Sequence, residues 1–218
     1  MAGPARSISV LVVHSIPPRS GPAIVIPGAP LLVPELVGVP GDPEADRLRA
    51  AVVAAGTWLG ARAATWRIIG AEPLTSREGA GTFAGYGADV LVTGAPGAPS
   101  GDAAPDPRWP LPLLIAAWLR GRTAASTRIV GPDEPADGTV FVLDGPNTLT
   151  ERAPGGFRPD DAEIFAAECA AVCDGAPTDG LAPEWAAAAE ALRTGVVRTL
   201  YRDAPFGVGY LVATGGAG

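Results

Sequence analysis

Short β-type runs that stop at Pro/Gly turns alternate along this chain with segments of helical periodicity. That alternation is the strongest constraint on what the chain can fold into. Ala23-Ile24-Val25-Ile26 stops at Pro27-Gly28-Ala29-Pro30. Asp42-Pro43-Glu44 then opens a helix, with Asp as N-cap, Pro at the first helical position and an acid at the positive end of the dipole. Leu48, Val52, Ala55 and Leu59 form one apolar stripe, and Gly60 is the expected stop. Trp66–Gly70 is the next strand, followed by Ala71-Glu72-Pro73, and Val90–Thr93 another. Leu111–Leu119 is apolar nearly all round, as a buried helix is. Arg128–Val130 and Thr139–Leu143 are β runs ending at Gly131-Pro132-Asp133 and Asp144-Gly145-Pro146-Asn147. Pro159–Cys173 and Pro183–Leu192 are helical, the first with Phe165, Cys169 and Val172 as its core stripe. The segment 195–218 carries two strands around a turn at Asp203–Gly207.

Crossovers of this length join parallel strands, not tight hairpins. The expected fold is therefore α/β: a three-layer α/β/α arrangement with a mostly parallel (mixed) central sheet and a C-terminal antiparallel hairpin at its edge. Residues 1–22 form an irregular N-terminal extension in which Ser7–Val13 has strand character, and 23–214 form one domain. Ligands of such sheets bind beyond the carboxyl ends of the strands. Those ends carry Pro27-Gly28, Ala71-Glu72, Gly94-Ala95, Gly131-Pro132 and Asp144-Gly145, and all five are expected to meet at one cleft.

Charge and motif content narrow the function. All sixteen basic residues are Arg, they are scattered, and the net charge is −7, which disfavours nucleic acid as a partner. No apolar stretch reaches the roughly 18 residues of a membrane span, and the apolar run near the N-terminus is shorter than the ~7–15 residues of a signal peptide core. A cytoplasmic protein is expected. Cys169 and Cys173 are two small buried hydrophobes on one helix, too few for a structural zinc site. The stretch Gly79-Ala80-Gly81-Thr82-Phe83-Ala84-Gly85-Tyr86-Gly87 lacks the Lys-Ser/Thr of a phosphate loop. No Gly-x-Ser-x-Gly elbow occurs, and a single His limits any Ser-His-Asp triad. The five Trp residues are spread as core and interface anchors.

Five stretches, in order, carry a resemblance. "PGAPLLVPELVG" resembles the Pro-His-Pro-Pro-Leu-Leu-Val-Pro-Glu opening of class III extradiol ring-cleavage dioxygenases of the subunit-B type, members of a superfamily that includes Memo-type proteins. "GTFAGYGADVLVTG", "PLPLLIAAWL", "ERAPGGFRPDD" and "DAPFGVGYLVAT" are similar to later segments of the same group. The resemblance spans residues 23 to 214. It implies an α/β fold with one metal site at the strand ends, where two His and a carboxylate hold non-haem Fe(II) for a catechol and O₂.

At the positions where the resemblance places imidazoles, this chain has none. Gly28 stands in the opening turn, Gly70-Ala71-Glu72-Pro73 after the second strand, and Asp144-Gly145-Pro146-Asn147-Thr148 after the strand ending at Leu143. The one His of the chain, His14, lies upstream of the matching region. The expectation is a degenerate, metal-free and catalytically inactive cleft lined by Gly28, Glu72, Asp144 and Asn147. It would bind a small aromatic molecule or serve a subunit interaction, in a homo-oligomer or in a heteromer with a paralogous subunit. The alternative is a working enzyme. Glu72 and Asp144 would then act as acid and base, or His14, Glu72 and Asp144 would hold Fe(II) or another divalent metal.

Overall fold

The computed structural model describes residues 21–37, 41–70, 79–97 and 104–217. Six strands form the central sheet: β1 (Ala23–Ile26), β2 (Thr65–Gly70), β5 (Arg128–Val130), β6 (Gly138–Val142), β7 (Arg198–Asp203) and β8 (Tyr210–Gly215). Their spatial order is β5-β2-β6-β1-β8-β7. The first four run parallel, with Ile24 opposite Val140, Ile69 opposite Phe141 and Trp66 opposite Ile129. β8 runs antiparallel to β1, and β7 antiparallel to β8, so the C-terminal hairpin closes one edge. The fold is α/β with a mixed, mostly parallel sheet.

Side-chain alternation sorts the two faces. On one face Ile24, Ile26, Val140, Val142 and Val212 pack under α1 (Pro43–Gly60) and α2 (Leu111–Thr123). On the other, Ala23, Val25, Phe141, Leu211 and Ala213 pack under α3 (Asp161–Asp174) and α4 (Pro183–Arg193). A strand buried on both sides reads as a continuous apolar run because neither face meets water. The α1 stripe Leu48, Val52, Ala55 and Leu59 is fully covered, and Asp42 caps its first turn, accepting from the N–H groups of Glu44 (2.9 Å) and Ala45 (3.4 Å). No helix among the described residues is long and apolar enough to cross a membrane.

One sequence expectation is corrected. The run ending at Thr93 does form a strand, β4 (Leu91–Thr93), but it does not join the central sheet. It pairs antiparallel with β3 (Ala80–Thr82), inside the stretch expected to be a glycine-rich loop. Ala-Gly-Thr carries little strand preference of its own; packing decides. A Cβ on Gly81 would lie 2.5 Å from the Trp109 ring and 2.7 Å from Leu114, so the absent side chain lets this small sheet lie flat against the α2 layer. Arg120, 4% exposed, fastens it there. Its guanidinium donates to the carbonyl and hydroxyl oxygens of Thr93 (both 2.9 Å) and to the carbonyls of Ala125 (2.8 Å) and Thr127 (3.1 Å).

Glu35, in a short 3₁₀ turn (Pro34–Leu36), pairs with Arg122 at 3.5 Å on the surface. Cys169 is buried and Cys173 half-buried, and both are free thiols. Burial pushes the Cys169 thiol up to about 12, so it packs as a small hydrophobe.

Candidate functional site

Parallel pairing in register brings the ends of β1 and β6 side by side. Ile26 lies opposite Val142, so Pro27-Gly28 leaves the sheet next to Leu143-Asp144. The Gly28 N–H donates to Asp144 Oδ1 at 3.2 Å. A Cβ on residue 28 would sit 3.0 Å from Asp144 Oδ2 and 3.4 Å from Val142 Cγ1. The carboxylate thus occupies the space into which a side chain at position 28 would leave the backbone.

The loop carrying Asp144 is fixed from the other side by the turn between β7 and β8. Gly145 N–H donates to the Gly209 carbonyl (2.8 Å), Gly209 N–H to Pro146 (3.0 Å) and Leu149 N–H to Gly207 (3.0 Å). Phe165 of α3 packs where Cβ atoms on Gly145 and Gly209 would stand, 2.7 and 2.6 Å from its ring. The "DGPN" and "FGVGY" glycines therefore let an aromatic ring close onto two loops at once.

Above these strand ends lies a cleft of about 460 Å³. Gly28, Val142, Leu143, Asp144, Gly145 and Pro146 form its floor. Leu111 and Pro112 from the start of α2 form one wall. The other comprises Glu168 of α3 with Ala182, Glu184 and Trp185 at the start of α4. Its size and its apolar lining with a few polar groups suit a small-molecule site. A second cavity, about 400 Å³, lies between β4 and α2, but its buried cation, Arg120, is already bonded to protein oxygens on every side.

Two carboxyl groups in the cleft titrate far above their usual range. Asp144 reaches water at the cleft mouth, yet protein surrounds it on most sides. That crowding raises its carboxyl from 3.8 to about 6, against the opposing pull of the Gly28 N–H. Glu168 is only 7% exposed, and burial raises it from 4.5 to about 7. Its Oε2 is covered and has no hydrogen-bond partner. Tyr210, at the start of β8, is buried close by; burial and the negative charge of Asp144 both hold its hydroxyl protonated.

Of the residues singled out from sequence, the structure brings Gly28 and Asp144 together and leaves Asn147 out. Asn147 does not line the cleft. Its carbonyl accepts from the Gly155 N–H (2.9 Å), and its Oδ1 would lie 2.4 Å from a Cβ on Gly155, so it packs against its own loop. Glu72, His14 and the Ser7–Val13 run lie outside the described residues. Convergence of five strand ends is also corrected. Among the described residues the β1 and β6 ends floor the cleft and the Gly94-Ala95 and Gly131-Pro132 ends do not; Ala71-Glu72 lies outside the described residues, and β2 approaches the wall where Gly70 meets Pro112. The Gly94 carbonyl accepts from Ile129 N–H along the β5 edge (2.6 Å), and Gly131 N–H is capped by Glu134 (2.9 Å).

Glu168, Glu184 and Trp185 are the cleft residues that the sequence analysis missed. Glu168 shares a helix face with Phe165, Cys169 and Val172, and a carboxylate inside an apolar stripe was the available signal.

The donor set does not fit a two-His, one-carboxylate iron centre. Gly28 offers no donor atom, Asn147 points elsewhere, and no group of three His, Cys, Asp or Glu among the described residues is placed to hold a metal ion. No protein-family model and no curated protein matches the chain.

Proposed function

We propose that this chain binds a small molecule in the cleft over the β1 and β6 ends, on a scaffold that resembles the extradiol dioxygenase subunit-B-like proteins but without their iron centre. One observation carries this reading. Asp144 lies against Gly28, accepting its N–H at 3.2 Å, where the resemblance expects a ligating side chain. The single His of the chain cannot supply two imidazoles. The cleft persists although the ligand position is filled, and it keeps the volume and mixed lining of a ligand site.

The test combines two measurements on the purified chain. Anaerobic incubation with Fe(II) followed by desalting is expected to leave far less than one iron per chain. Catechol and benzyl alcohol are expected to shift the indole N–H resonance of Trp185, assigned through Trp185→Phe. Stoichiometric iron held by this chain, or an unmoved Trp185 signal, overturns the reading.

A second reading, an acid–base enzyme, is favoured by one observation: Asp144 and Glu168 titrate at about 6 and about 7, the range proton transfer near neutral pH uses. Turnover of a bound ligand that Asp144→Asn and Glu168→Gln each abolish, with binding kept, would select it.

A further inference from the structure

We propose that the ligand of this cleft is a small organic cation, an ammonium group on an apolar or aromatic body, with Glu168, Asp144 and Glu184 as its counter-charges. The inference rests on the reading of the cleft as a ligand site and names the class of ligand.

The ionisable side chains that line the cleft, among the described residues, are all carboxylic acids. No Arg among the described residues pairs with any of the three. An anionic ligand would enter against three like charges in walls of low dielectric constant. A buried polar atom in a native protein is normally hydrogen-bonded, and the exceptions call for a partner. Glu168 Oε2 is such an exception: it is itself covered, in a side chain 7% exposed whose remaining accessible surface borders the cavity. Above about pH 7, where Glu168 is ionised, its carboxylate accepts and does not donate, so the partner it then lacks is a donor.

A neutral hydroxyl would satisfy the bond and leave the charge. An ammonium satisfies both, and charge-assisted bonds are roughly twice as strong as neutral ones. The rest of the lining fits the other half of such a molecule. Leu111, Pro112, Val142 and Leu143 offer apolar contact, and Trp185 adjoins Glu184 on the same wall, an aromatic group of the kind that favours bound cations.

Three probes of one shape separate the possibilities: benzylamine, benzyl alcohol and benzoate, titrated into the full chain at about pH 8, where the cleft carboxyls are ionised. Affinity is read by calorimetry and location by the Trp185 indole resonance. Benzylamine is expected to bind about tenfold more tightly than benzyl alcohol, or better, with benzoate weakest. Glu168→Gln is expected to remove most of that preference by weakening benzylamine far more than benzyl alcohol. Glu184→Gln, at a less buried position, is expected to remove a smaller part.

If benzyl alcohol or benzoate moves Trp185 and matches benzylamine, the cation assignment falls and the cleft stands as a ligand site. If benzylamine affinity is the same in Glu168→Gln and Asp144→Asn as in the parent chain, the assignment also falls. If none of the three probes moves Trp185, both the assignment and the ligand-site reading fall.

Discussion

Replacing Glu168 by Gln should stabilise the protein, and by an amount that depends on pH in a defined way. The side chain is 7% exposed, its Oε2 has no partner, and burial raises its carboxyl from 4.5 to about 7. The sign follows from linkage. The folded state holds this proton more tightly than the unfolded chain does, so the contribution to stability is fully present below 4.5 and is lost as pH rises through about 7. At about 1.4 kcal/mol per pH unit, the loss across that window is roughly 3 to 4 kcal/mol. That figure is a ceiling, because water in the adjoining cleft screens the ionised group.

Gln keeps the shape and does not titrate. The stability of Glu168→Gln minus that of the parent chain should be flat up to about pH 4, climb by up to roughly 3 to 4 kcal/mol, and level off by about pH 8. For a chain of this length the gain corresponds to a melting temperature higher by on the order of 10 °C at the alkaline end. Asp144 titrates in an overlapping window, from 3.8 to about 6. It does so in both proteins, so it cancels from the difference. Urea unfolding followed by circular dichroism from pH 4 to 8 measures that difference directly, provided the unfolding is two-state. A difference flat to within about 0.5 kcal/mol over the whole range would refute the claim that Glu168 is buried without a partner.

Three further substitutions or probes test the fold around the site. Arg120→Met should cost about 2 kcal/mol in urea unfolding, because it strands the carbonyls of Thr93, Ala125 and Thr127 that the guanidinium now serves; a neutral result would show that these oxygens reach water. Gly81→Ala should destabilise by about 1–3 kcal/mol and change Trp109 fluorescence, since the new methyl lands 2.5 Å from that ring. Cys169, whose thiol burial holds up to about 12, should resist a disulfide reagent in the native protein and react fully in denaturant; fast native labelling of Cys169 would contradict its burial.

The central sheet was legible because its inner strands leave no choice of side. Ala23-Ile24-Val25-Ile26 and Thr139-Val140-Phe141-Val142 are apolar on both faces, so each is buried wherever it pairs, and the Pro/Gly turns mark where pairing stops. The small sheet was not legible. Ala80-Gly81-Thr82 becomes a strand through the nearby Leu91–Thr93, with Thr82 opposite Leu91, and through the ring of Trp109 further along the chain, and the residues of β3 themselves carry no pattern that encodes either contact.

The same distinction holds in the cleft. Gly28 and Asp144 each sit two residues beyond strands whose register is fixed, so their meeting follows from pairing. Asn147 lies far enough along its loop for Gly155 to capture it. Glu168 was hidden by the ordinary rule that a helix carboxylate faces water. Here the α3 face it occupies also bears Phe165 and Cys169 and is buried.

Gly28 and Asp144 also constrain one another, and this bears on how such a site can change. A side chain at position 28 obliges Asp144 to give way, because its Cβ would stand 3.0 Å from Oδ2 and 3.4 Å from Val142 Cγ1. Contacts that close oblige the neighbour to shift, and the carboxylate that shifts is also the acceptor of the Gly28 N–H, the polar group that opposes the rise of its own titration. A larger side chain at position 28 and the placement of Asp144 are therefore coupled changes. Either residue alone favours keeping the other as it is, and this mutual dependence ties together the two strand ends that floor the cleft.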